Sequence, residues 1–190
     1  MTAPEPPGVD FPLPYDRTTV VLHWLSVVLV AALWLGPQLV ETLTPPSFQA
    51  GLRSSHIALG GLLGVVLIVR LLRRAGLLLS GRAPRSGVAA RAMHLTLYLL
   101  LGATIGLGGL RLWAHGETIF HLVTVPGFAP ADHALSHTLA GLHGLGANLV
   151  LILMAVHVVA ALAHHYLWHD GLLFRILPGL DRRRPKPGRR

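Results

Sequence analysis

Twelve histidines lie along the 190 residues, and four of them, His23, His56, His143 and His157, fall within or at the edges of long apolar runs. Imidazole is a proton carrier, a hydrogen-bonding group and the commonest metal ligand among side chains. At membrane depth an ionisable residue marks a functional site by default. His143 and His157 are fourteen residues apart, about 21 Å of helical rise at ~1.5 Å per residue and nearly a whole number of turns. Both rings therefore project from one face of a helix, at two depths. The chain has no cysteine, which excludes disulfides, thiolate-bound metals and iron–sulfur clusters. Redox or metal chemistry here must rest on histidine.

The elements that position these rings follow from hydropathy. Only 13% of residues are charged, about half of the roughly 25% usual in soluble domains. Four apolar stretches stand out: Thr18 to about Val40, His56 to Leu72, Ala92 to Trp113, and about Thr138 to Trp168. Each is near or above the ~20 residues that cross a bilayer core, the second being the shortest. The start, MTAPEPPGVDFPLPYD, is proline-rich and acidic and does not resemble a cleavable signal peptide, so the first helix is expected to be retained. The expected fold class is all-α, an integral membrane four-helix bundle. It would occupy 15–178, with an extension over 1–14 and a basic tail over 179–190.

Of sixteen basic residues only Arg53 and Arg111 fall on one side of these spans; the other fourteen flank the opposite side. By the positive-inside rule both termini and the middle loop face the cytoplasm, and the loops Glu41–Ser55 and Ala114–His137 face outward. The same arrangement accounts for the high isoelectric point of about 11.4 without nucleic acid as a partner. Anionic lipid headgroups suit the tail better.

With this topology the histidines pair by depth. His23 lies near the inner end of helix one and matches His157 of helix four; His56, at the outer end of helix two, matches His143. Two pairs of facing imidazoles, one near each surface, are what two six-coordinate b haems need. The alternative for each ring is an interhelical hydrogen bond. Gly60, Gly61 and Gly64 after His56, and Gly141, Gly144 and Gly146 around His143, leave room beside a flat macrocycle or simply allow close helix packing. His137 rivals His143, but its twenty-residue separation from His157 corresponds to roughly 200° around a helix, so it faces away. Arg70 stands fourteen residues after His56 and so on the same face, where it would pair with a haem propionate or snorkel to the headgroups.

The stretches YDRTTVVLHWLSVVLV, SHIALGGLLGVVLIVRLL, MHLTLYLL and VHVVAALAHHYLWHDGLLFRILP resemble the bacterial cytochrome b561 family of four-helix, di-haem membrane proteins, from about Tyr15 to Pro178. The resemblance implies an inner-membrane protein with haem ligands His23, His56, His143 and His157. It also implies electron transfer between an outer donor and a membrane quinone of the ubiquinone type. Some members are similar to superoxide oxidases, and on that pattern Arg53 and Arg111 would attract the anion. A periplasmic redox protein is the other donor the resemblance allows.

His164, seven residues after His157, would meet a quinone carbonyl, with Trp168 packing on the quinone ring. His94 in MHLTLY matches a family position and would serve propionate or quinone, or be an ordinary interfacial histidine. His133 and His137, four residues apart, could chelate a metal if helical, although a solvated loop is the simpler reading. Two competing functions are an anchor subunit passing electrons to a separate redox protein, and a haem-free scaffold whose histidines only tie helices together.

Overall fold

The computed structural model describes residues 15–43, 45–82, 87–169 and 172–177. The expected extension over 1–14 and basic tail over 179–190 lie outside the described residues. Four helices dominate the chain: α1 (Arg17–Leu43), α2 (Pro46–Leu79), α3 (Val88–His115) and α4 (His133–Ala163). All four carry windows long and apolar enough to cross a membrane.

The helix ends follow from local chemistry. Asp16 caps α1: its carboxylate accepts the Thr19 amide at 3.0 Å and the Thr19 hydroxyl at 2.6 Å. Asp132 accepts the Leu135 amide at 2.9 Å at the start of α4. Each thereby satisfies a first-turn N–H that has no helical acceptor. Proline at the first position of α2 suits a site where no amide donor is needed. That helix closes on Gly81 at φ 67°, with the Arg82 amide donating to Leu77 O and the Gly81 amide to Leu78 O, the left-handed cap that glycine adopts without steric cost.

These ends change two expectations. Helix α2, the shortest of the four apolar stretches, is the longest of the α-helices at 34 residues. It begins well before His56 and runs through Arg73, Arg74 and even Gly76, because arginine and the leucines that follow are good helix formers and no proline intervenes before Gly81. Accordingly, most of the Glu41–Ser55 loop is helical, divided between α1 and α2. In Ala114–His137 the structure replaces a solvated loop with a hairpin, β1 (Glu117–Ile119) and β2 (Val123–Val125), antiparallel with Glu117 opposite Val125. His133 and His137 both belong to the first turns of α4.

The chain divides into two compact units, Leu22–Met154 and the remainder, Met1–Val21 with Ala155–Arg190. In the first, all four helices meet around Leu29 and Val30 of α1, Leu63 and Val66 of α2, and Val150 of α4, with Leu100, Leu101 and Ile105 of α3 packed against them. Residues facing away are apolar as well: Val65 is 59% exposed, Leu99 65% and Ile152 61%. With lipid outside, apolar burial does not drive helices together, and close approach at small residues with interhelical hydrogen bonds takes over. Gly146 of α4 shows this. A Cβ there would stand 2.5 Å from the hydroxyl of Thr104, a buried residue of α3.

In the second unit, helix α4 passes into a π-helical turn, His164–Trp168, then a short 3-10 turn, Leu172–Arg175. His169 closes the π turn at φ 50°, its amide donating to His164 O. The Tyr15 amide donates to Arg175 O at 3.2 Å, and the Arg175 guanidinium lies 4.6 Å from the centre of the Tyr15 ring.

Candidate functional site

Within Leu22–Met154 the structure brings His56 of α2 and His143 of α4 together, their ring centres 6.0 Å apart and their planes at 75°. His143 Nδ1 lies 2.9 Å from the carbonyl oxygen of Thr104. A carbonyl only accepts, so Nδ1–H donates, which leaves Nε2 as the nitrogen that could face a metal. A backbone carbonyl behind the distal nitrogen is the usual device for orienting a metal-binding imidazole.

The two rings line a cavity of about 900 Å³, at the upper end of the roughly 300–1,000 Å³ typical of ligand pockets. Gly60, Gly61, Gly109 and Gly144 also line it, and a Cβ at any of them would meet no atom within 4 Å. Gly64 differs: a Cβ there would contact Ile105, so this glycine serves helix packing. If two imidazole nitrogens each stand about 2 Å from a shared metal, the ring centres come to roughly 6 Å apart. Two imidazoles at that spacing, beside a cavity that open glycines of three helices help to line, fit a b haem held by His56 and His143.

Polar groups gather at the end of this cavity beside the hairpin. Arg53, one turn before His56, lies 3.4 Å from a carboxylate oxygen of Glu117 in β1. The hairpin is fixed above α2 by the Phe120 amide, which donates to the buried hydroxyl of Ser54 at 3.0 Å. At the end of α3 the Phe128 and Ala129 amides donate to Trp113 O and Ala114 O. Gly116 at φ 78° and Gly127 cross so closely that a Cβ on either would strike backbone atoms within 2.8 Å. Glu117 thus compensates the charge of Arg53. Arg111, also lining the cavity, has no carboxylate partner among the described residues.

Arg70, for which two readings stood open, points into the helices. Its Nη1 donates to Ser26 Oγ of α1 at 2.7 Å, Nη2 reaches Tyr98 OH of α3 at 3.5 Å, and the guanidinium stands 5.4 Å from the centre of the Tyr98 ring. Ser26 is buried, and its own hydroxyl donates to Leu22 O. The guanidinium is held between helices by hydroxyls and an aromatic face.

His23 is half-buried on α1, edge-on to Trp24, and His94 is half-buried near the start of α3. His157 and His164 belong to the second unit, both half-buried. His164 follows directly on α4 and opens the π turn, so its seven-residue spacing from His157 runs through α-helix and the helical phase changes only beyond it. The wider turn sets His164 against Trp168, ring centres 4.8 Å apart at 40°. His165 turns to Phe174, at 5.2 Å.

Residues not singled out from sequence complete the picture: Thr104 and Gly108 behind His143, Ser26 and Tyr98 around Arg70, and Glu117 against Arg53. Among the described residues no group of three histidine, aspartate or glutamate side chains gathers to hold a lone metal ion.

The family profile for prokaryotic cytochrome b561 matches residues 14–179, nearly the whole described chain. The chain belongs to the prokaryotic cytochrome b561 family. It is 33% identical over 172 residues to cytochrome b561 homolog 2 of Escherichia coli, covering 86% of this chain and 90% of that one. It is 28% identical over 170 residues to a probable superoxide oxidase, CybB, of Yersinia pestis, covering 86% and 96%. Cytochrome b562 of Cereibacter sphaeroides is 29% identical over 170 residues. As a member of the cytochrome b561 family this is a multi-pass bacterial membrane protein of electron transfer, and the family implies binding of haem b.

Proposed function

We propose that this b561 cytochrome carries two bis-histidine haems and moves single electrons from an outer donor, superoxide in the reading we favour, to a ubiquinone-type quinone near the cytoplasmic side. The observation that carries it is the His56–His143 pair facing across a glycine-walled cavity. The inner pair, His23 and His157, rests on helix spacing and on the family pattern. The inner-membrane orientation with both termini cytoplasmic rests on the distribution of arginines.

Haem, when bound, supplies reversible one-electron storage, and the protein supplies ligation, orientation and electrostatics. His143, steadied by the Thr104 carbonyl, and His56 hold the outer group. Arg111, lining the same cavity as the Glu117-paired Arg53, raises the local concentration of an anionic donor. Each superoxide gives up one electron and leaves as dioxygen; two such electrons and two protons convert a quinone to a quinol. His164 donates a hydrogen bond or proton to a quinone carbonyl, with Trp168 against the ring. Its place in a π turn supports this role, since such turns recur at functional sites. His94 and Arg70 bear on propionates near the inner haem.

The test is anaerobic rapid mixing of purified, haem-loaded protein with superoxide and a soluble ubiquinone analogue. The reading predicts quinol formation that superoxide dismutase abolishes. Quinol formation unaffected by dismutase, or none at all, overturns the assignment of superoxide as donor.

A further inference from the structure

A Cβ built on Gly108 would stand 3.0 Å from both Cε1 and Nδ1 of His143. Nδ1 is the atom that donates to Thr104 O at 2.9 Å. In a regular α-helix the amide of Gly108 is the partner of that same carbonyl, so ring, acceptor and glycine occupy one small notch on α3. The notch is reciprocal: His143 of α4 enters at Gly108, while Thr104 of α3 enters at Gly146. Gly106 lies on the same helix without a comparable contact, since a Cβ there meets nothing within 4 Å.

We infer that Gly108 is a positioning residue for the outer haem: its missing side chain lets the His143 ring reach the Thr104 carbonyl, and this contact sets the electron-donating strength of Nε2. The inference rests on the reading of His143 as an outer haem ligand. A hydrogen bond from Nδ1–H to a carbonyl makes the imidazole more basic toward a metal. A more basic ligand favours the oxidised iron, so weakening the bond raises the midpoint potential. A methyl group at residue 108 forces the ring to move by a few tenths of an ångström, away from the carbonyl or about its own axis. Alanine is also a better helix former than glycine, so a loss in Gly108→Ala does not come from the backbone of α3.

The experiment is a potentiometric titration of the haem-loaded protein followed optically, with low-spin ferric EPR, on wild type, Gly108→Ala, Gly106→Ala and His143→Ala. The expected result is that Gly108→Ala raises one of two midpoint potentials and shifts one low-spin signal, while Gly106→Ala changes neither. Wild-type potentials and spectra in Gly108→Ala overturn the inference. His143→Ala separates the two layers, because retention of both haems there removes the ligand reading itself. Should Gly108→Ala not accumulate, the pair Gly108→Ala/His143→Gly decides. Accumulation equal to His143→Gly alone places the clash on the His143 ring, and continued failure to accumulate contradicts it.

Discussion

Arg70 Nη1 donates to Ser26 Oγ at 2.7 Å, joining α2 to α1 through a cation that has no carboxylate partner among the described residues. Ser26 follows His23 by three residues, so the charge is held beside the expected inner ligand. A cation near a haem favours its reduced form. Arg70→Leu is therefore expected to lower the potential of the haem assigned to His23 and His157, with Arg70→Lys intermediate, in a redox titration. An unchanged potential in Arg70→Leu would separate this cluster from the haem.

Gly146→Val tests the other side of the α3–α4 notch. Its side chain would displace Thr104, whose hydroxyl already donates to Leu100 O at 2.8 Å. Overpacking of this kind costs about 1–3 kcal/mol, so the expected outcome is a lower thermal midpoint in detergent, followed by the haem band. A midpoint equal to wild type would show that α3 and α4 part without cost.

The Arg53–Glu117 pair is open to solvent, and such pairs contribute only ~0–1 kcal/mol to stability. Glu117→Gln should leave the melting point nearly unchanged while adding one net positive charge at the mouth of the cavity. If superoxide is the donor, its reaction accelerates severalfold at low salt, and the gain fades as ionic strength rises. A salt-independent rate in Glu117→Gln would speak against electrostatic capture.

His164→Phe keeps an aromatic ring against Trp168 but removes the nitrogen. The expected phenotype is normal haem content with quinone reduction slowed by roughly the 10²–10⁴-fold attributed to a positioned acid or base, measured as quinol formed under steady reduction. Wild-type rates in this variant would place the quinone elsewhere.

The parts of this molecule legible in its sequence are those governed by periodicity. Four apolar helices and the pairing of His56 with His143 by depth follow from 1.5 Å of rise per residue and from charge asymmetry. The extent of α2 was hidden because arginines at 73 and 74 read as the edge of a span, although they continue the helix. The hairpin was hidden by its shortness, though its β-branched run, Thr118, Ile119, Val123, Thr124 and Val125, carried the signal. Thr104 and Gly108 could not be read at all: what matters is a backbone carbonyl and the absence of a side chain, facing a ring thirty-nine and thirty-five residues away. The π turn that begins at His164 likewise changes the helical phase of the residues after it, which spacing alone does not reveal.

The most direct test of the account is haem content per chain, from the pyridine haemochrome of purified protein expressed with ample haem, in wild type and His143→Ala. Ligation by both histidine pairs gives two b haems per chain in the wild type and one in the variant. A colourless wild-type protein, or a His143→Ala variant that keeps both haems, contradicts it.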